Sequence, residues 1–167
     1  MSPISLVVGI VLITLATELR GRITLGVFTI TAVTLFTCSA LYHRVGWSKK
    51  YKALWRRIDH ANIPILIAGT YTPFGLLVLS DGPQQLIMVW SLALTGVLLK
   101  FIVRFRFQGA FLLLYLATGW SVAIGMDRAL AEIEPTSMAL LIAGGVAYTT
   151  GVIFHLRTSW RWYSAMW

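Results

Sequence analysis

A few polar groups stand where this apolar chain has least room for them. Ser39 and His43 are spaced i, i+4, which puts both on one face at the end of an apolar run. Asp59 and His60 open the next apolar run, beyond a short basic connection, so the two pairs meet at one depth of whatever the runs cross. His155 closes a later run at the same level, and Ser164 follows it. Histidine with a carboxylate is a donor set for zinc or a similar metal, the imidazole binding while neutral and the carboxylate directly or through a water. The ordinary alternatives are an interfacial histidine and an Asp59 paired with Arg56 or Arg57. A place near a helix N-terminus would also favour the Asp59 carboxylate. Spacing alone leaves these readings open.

The elements that must position these groups are legible from composition. Of 167 residues, 57% are hydrophobic and only 12% charged, with a mean hydropathy of +0.77. A soluble domain carries about twice that charge, about 25%, and its helices show polar stripes that the long runs here lack. The expected fold is all-α, a polytopic transmembrane helical bundle forming one domain over residues 1–167. A crossing helix needs about 20 apolar residues. Spans are expected at about 2–19, 23–43, 61–79, 84–103, 109–126 and 136–156. The first run has no basic segment ahead of it and no small-x-small cleavage site after it, so a retained span is expected rather than a signal peptide. Residues 160–167, rich in tryptophan, read either as an interfacial tail or as the start of a seventh span.

Charge orients the bundle. The connections after spans two, four and six carry eleven Lys and Arg, and the opposite connections carry Arg20, Arg22 and Arg128. The positive-inside rule then places the N-terminus of this multi-pass protein in the cytoplasm; the bacterial inner membrane is the expected location, a matter the charge pattern does not decide. The net charge of +8 belongs to those connections, so no nucleic-acid partner is expected; membrane lipids are. Ser80-Asp81-Gly82-Pro83 is a tight turn between spans three and four. Pro64 and Pro73 fall inside span three, where a kink is expected and where Thr72 is a candidate to satisfy backbone freed by the proline. The single cysteine, Cys38, excludes a disulfide framework and reads as a small residue in a helix interface. Gly69 and the Gly144-Gly145 pair read as small residues for close helix packing, and the tryptophans as belt residues.

Three segments taken together resemble the hemolysin III family, which sits with the progestin and adipoQ receptors and, more distantly, the alkaline ceramidases. They are Ser39-Ala40-Leu41-Tyr42-His43, Arg57-Ile58-Asp59-His60-Ala61-Asn62-Ile63 and Ile67-Ala68-Gly69-Thr70-Tyr71-Thr72-Pro73-Phe74. The resemblance is strongest over residues 39–74 and extends weakly along the chain. It implies seven helices with the N-terminus inside, and a zinc site near the cytoplasmic face. His43 would be a ligand, Asp59 would act through a water with Ser39 nearby, and two histidines of the seventh helix in an H-x-x-x-H pattern would complete the site. Three imidazoles and an open position lower the pKa of a bound water to about 7, and hydrolysis of a lipid amide is the activity implied. Ser164 stands where the first of those two histidines would fall, so the metal shell is incomplete within these 167 residues. Membrane perturbation or channel formation, and a non-catalytic receptor or lipid-homeostasis role, are the alternatives. No cationic amphipathic helix and no mid-span ring of charge favour the former.

Overall fold

The computed structural model describes residues 2–102, 108–121, 131 and 133–156. Among them all regular structure is helical. The helices are α1 (Ser2–Leu15), α2 (Leu19–Arg44), α3 (Lys49–Leu77), α4 (Gly82–Ile102), α5 (Gln108–Trp120) and α6 (Pro135–Leu156). Two compact units divide the chain, Met1–Thr118 and Gly119–Trp167, with the boundary in the last turn of α5.

In the first unit α1 packs on α2, α2 on α3 and α3 on α4, an up-and-down order set by short connections. Burial inverts the pattern of a soluble protein. Thr24, Thr29, Thr31, Ala68 and Ala93 are buried, whereas Ile4, Leu15, Ile30, Ile87 and Leu98 are exposed. Small residues at the contacts and large aliphatics outside are what lipid-facing helices require, because close backbone approach, not apolar burial, holds them together. α2 and α4 are long and apolar enough to cross a membrane; α1 is apolar but shorter.

Glycine–threonine contacts set the registers. A Cβ at Gly9 would strike Thr29, and one at Gly69 would lie 2.8 Å from the Cβ of Thr31. Seven residues beyond Thr31 in α2 and seven before Gly69 in α3, Cys38 shares a side-chain hydrogen bond with Asn62. The two contacts agree on one antiparallel register, and Cys38 sits half-buried in the interface where a small residue is expected. At the other end of α3, Gly75 and Gly82 bring the α3 and α4 backbones into direct contact. There Tyr71 donates its hydroxyl to Gln85 Oε1, Gln85 Nε2 donates to Asp81 Oδ2 at 3.0 Å, and Trp90 Nε1 donates to Thr72 Oγ1 at 3.1 Å. This network locks the Ser80–Pro83 turn.

α3 differs from expectation at its start. It begins at Lys49, so the basic stretch 49–60 is helix and the α2–α3 connection shrinks to residues 45–48. Asp59 therefore lies in the third turn of a helix rather than at its start, and the N-terminal electrostatic explanation for its charge does not apply, because that effect fades within the first turn. The connection is pinned instead by Trp47, which stacks on Trp55 at 5.0 Å and donates Nε1 to Leu41 O at 2.9 Å. Both prolines fall inside α3, where they were expected. Proline cannot donate to the carbonyl four residues back. For Pro64 that carbonyl is His60 O, and Tyr115 of α5 donates its hydroxyl to it at 3.2 Å. For Pro73 it is Gly69 O; the Thr72 hydroxyl bonds Ala68 O at 2.8 Å, one residue earlier, so Thr72 does not fill the role expected of it.

The Tyr115 bond carries a measurable consequence. Tyr115→Phe leaves a carbonyl of the packed α3 face without a donor, a loss of about 1–3 kcal/mol. In a Pro64→Ala background the restored backbone N–H serves His60 O, and the same substitution then costs less than half as much. Denaturant unfolding of the four proteins in detergent reads this coupling; equal costs in both backgrounds would show that the bond is incidental.

In the second unit, Trp120 Nε1 donates to Thr149 Oγ1 of α6 at 3.0 Å, and Gly119 packs against the Tyr148 ring. Pro135 starts α6, as expected of a residue whose missing N–H is an unpaired donor there anyway.

Candidate functional site

Asp59 and His60 are set on α3 by the register with α2 just described. Going twelve residues beyond Thr31 reaches His43; going ten before Gly69 reaches Asp59. At about 1.5 Å of rise per residue, the two differ by about 3 Å in height, so the structure places them at one level. It does not aim them at each other. Cys38 is the α2 residue facing α3, and Ser39 and His43 lie about 100° and 140° round the helix from it. Ser39 is half-buried and His43 exposed, the His43 ring lying edge-on to Tyr42 at 4.7 Å.

Around Asp59 the donors are closer. Its Oδ2 is 3.7 Å from His60 Nδ1, with the Asp59 side chain 16% exposed and that of His60 34%. That separation is too long for a hydrogen bond. The buried Nδ1 finds no hydrogen-bond partner of normal geometry. Cys38 is within electrostatic range of Asp59. Lys100 and Arg56 are within electrostatic range of His60 and of each other.

Among the described residues, no three of His, Cys, Asp and Glu gather to hold a metal. The donor set described so far does not fit a zinc shell by itself, since two side chains on different faces of two helices cannot replace three or four converging ligands. His155 lies in the last turn of α6; Ser164, and the rest of residues 157–167, lie outside the described residues.

Three residues at this level were not read from sequence as neighbours of the candidate site, Cys38 having been expected there only as a small interface residue. Cys38 joins α2 to Asn62 of α3. Tyr115 closes the third side by bonding His60 O. Lys100, counted among the connection charges, is buried at 7% exposure inside α4. A lone cation within the apolar run 94–102 was the available signal for it.

The family model described as "Haemolysin-III related" matches residues 1–166. The chain is 37% identical over 145 residues to the "Hemolysin-3 homolog" of Bacillus subtilis (strain 168), covering 84% of this chain and 67% of that protein. It is 35% identical over 146 residues to "Hemolysin-3" of Bacillus cereus, covering 84% and 66%. The human "Monocyte to macrophage differentiation factor" is 26% identical over 140 residues, covering 80% and 57%. The chain thus spans about two thirds of the length of its bacterial relatives. No solved structure matches it. The chain belongs to the haemolysin-III-related family, and its apolar helices and inverted burial are those of a membrane protein.

Proposed function

We propose that this is a multi-pass inner-membrane protein, one transmembrane domain with spans near 2–19, 23–43, 61–79, 84–103, 109–126 and 136–156 and a cytoplasmic N-terminus. On that reading the Ser39, His43 and Asp59 level faces the cytoplasm and is this chain's share of a zinc site for hydrolysis of a lipid amide. One observation supports it most directly: α2 and α3 bring the S-x-x-x-H and R-x-D-H segments to one height through a connection of only four residues.

The residues have separable tasks. His43, on the open face of α2, offers an imidazole nitrogen as one metal ligand. Asp59, held by α3 against α2, orients a water and takes its proton during attack. Ser39, one turn behind His43, presents a hydroxyl to the substrate carbonyl. A zinc ion held there would supply Lewis acidity toward the carbonyl and lower the pKa of a water.

Elemental analysis of the purified full chain tests the reading. About one zinc per chain, absent from His43→Ala and sharply reduced in Asp59→Ala, is the expected result. Wild type and variants alike free of zinc would sink it. The name of the Bacillus cereus relative favours a second reading, membrane lysis. Dye release from liposomes that survives His43→Ala would select that function instead.

A further inference from the structure

The first three turns of α3 are the part of the fold that the zinc reading leaves without a task. α3 has 29 residues, which at about 1.5 Å of rise each makes about 43 Å, against a hydrocarbon core of about 30 Å. Its apolar stretch begins at Ala61, so the surplus length lies at the N-terminal end, in residues 49–60. As a connection this stretch contains no cationic amphipathic helix; wound as the structure winds it, it is one.

Helical phase separates its side chains. Tyr51, Leu54, Trp55 and Ile58 recur at i, i+3, i+4 and i+7 and form one stripe. Lys49 and Lys52 form a second stripe centred about 140° round the helix from the first, and Lys50 flanks it. All three lysines are exposed, as is Arg44 at the end of α2, across the four-residue connection. On the apolar stripe Tyr51 is 55% and Leu54 44% exposed. Trp55 stacks on Trp47, whose indole N–H is committed to Leu41 O, so the two stripes are fixed in direction relative to α2. No Asp or Glu occurs between Glu18 and Asp59, and Asp59 lies about two turns beyond Lys52. The sequence around the basic stripe thus carries one sign of charge.

We propose that this end of the α2–α3 hairpin is a surface for anionic lipid, Lys49, Lys50, Lys52 and Arg44 taking headgroup phosphates while Tyr51 and Leu54 enter the acyl boundary beside them. Ammonium and guanidinium groups suit the several acceptor oxygens and full charge of a phosphate, and basic clusters next to a membrane helix gather anionic lipids. A soluble polyanion would meet the same cations. The lipid is favoured because an exposed apolar stripe runs along the same three turns, and a helix with both faces belongs at the bilayer interface. The surface uses none of Ser39, His43 and Asp59, so it stands apart from the zinc reading.

The test uses the full chain in nanodiscs of phosphatidylcholine, with and without phosphatidylglycerol, reading retained lipid by native mass spectrometry and thermal unfolding. The wild type retains phosphatidylglycerol over phosphatidylcholine and unfolds at higher temperature with it. Both effects fade at about 1 M salt, where charges are screened beyond about 3 Å. Lys49→Gln/Lys50→Gln/Lys52→Gln lowers phosphatidylglycerol retention about tenfold and leaves zinc content as it is in the wild type. The corresponding triple arginine variant keeps it, as does Arg20→Gln, which removes an exposed cation at the other end of α2. Tyr51→Ser/Leu54→Ser weakens retention although it removes no charge. Equal retention by the wild type and the triple glutamine variant overturns the surface. So does retention by the wild type that is indifferent to salt, a measurement that needs no variant to fold. Glycerol phosphate giving the full stabilisation in pure phosphatidylcholine discs overturns the lipid assignment.

Discussion

Gly82→Val disrupts the α3–α4 hairpin and lowers stability by more than about 3 kcal/mol, beyond ordinary overpacking. At Gly82 an added Cβ would lie 2.9 Å from Gly75 Cα and closer still to the Gly75 carbonyl. Both atoms are backbone, so no rotamer change relieves the clash and the helices must separate. Separation would break the Tyr71–Gln85–Asp81 chain and the Trp90–Thr72 bond together. Gln85 is buried, so its amide would lose its partners away from water. Gly26 supplies the control, because nothing lies within 4 Å of a Cβ built there. Gly26→Ala is neutral or stabilising by up to about 1 kcal/mol through helix propensity. Unfolding of both variants in detergent decides the matter: similar midpoints would mean that the close approach at Gly82 is not what holds the hairpin.

Gly69→Val acts on the level that carries the candidate site. Gly69 meets Thr31 where α2 crosses α3, and a Cβ there would lie 2.8 Å from both Thr31 Cβ and Cγ2. Thr31 is short, branched and buried, so it cannot swing aside. The expected cost is about 3 kcal/mol or more, and the opened interface exposes Cys38, seven residues along α2. Because Cys38 is the chain's only cysteine, maleimide labelling reports that opening without further engineering. Labelling accelerates in Gly69→Val and returns toward the wild-type rate when Thr31→Gly is added. Thr31→Ala does not rescue it, since the clash includes the Cβ. Failure of Thr31→Gly to slow the labelling would place the fault elsewhere than in this contact.

The helical elements were legible because apolar run length is a local property. Five of the six helices start within about four residues of the expected spans, and α1 stops at Leu15, short of the expected 19. α3 begins at Lys49, ahead of the expected span at 61, because clustered charge marks a change of solvent and not the end of a helix. Lys49-Lys50-Tyr51-Lys52-Ala53-Leu54-Trp55-Arg56-Arg57 contains no breaker, and lysine, arginine, alanine and leucine all favour helix. Charge decides which solvent a helix segment prefers, not whether it is a helix.

The site was legible by height and not by direction. Ser39, His43, Asp59 and His60 follow from motif spacing and alternating topology. The rotation of α2 follows from where Thr31 meets Gly69 and Cys38 meets Asn62. Those contacts join residues more than 20 apart in the chain, and no periodicity within α2 announces them.

The sequence by itself determined an apolar, helical, membrane-adapted chain of the haemolysin-III-related family, with its polar groups at one level. Composition, run length and three linear motifs are enough for that, since each depends on neighbours in the chain. Only the tertiary structure decided that Cys38, rather than His43, faces α3, that Tyr115 serves the carbonyl Pro64 leaves unpaired, and that Lys100 points inward. All three depend on how one helix is rotated against another. That rotation is set by single close contacts between small residues, and their identity is invisible until the helices are packed.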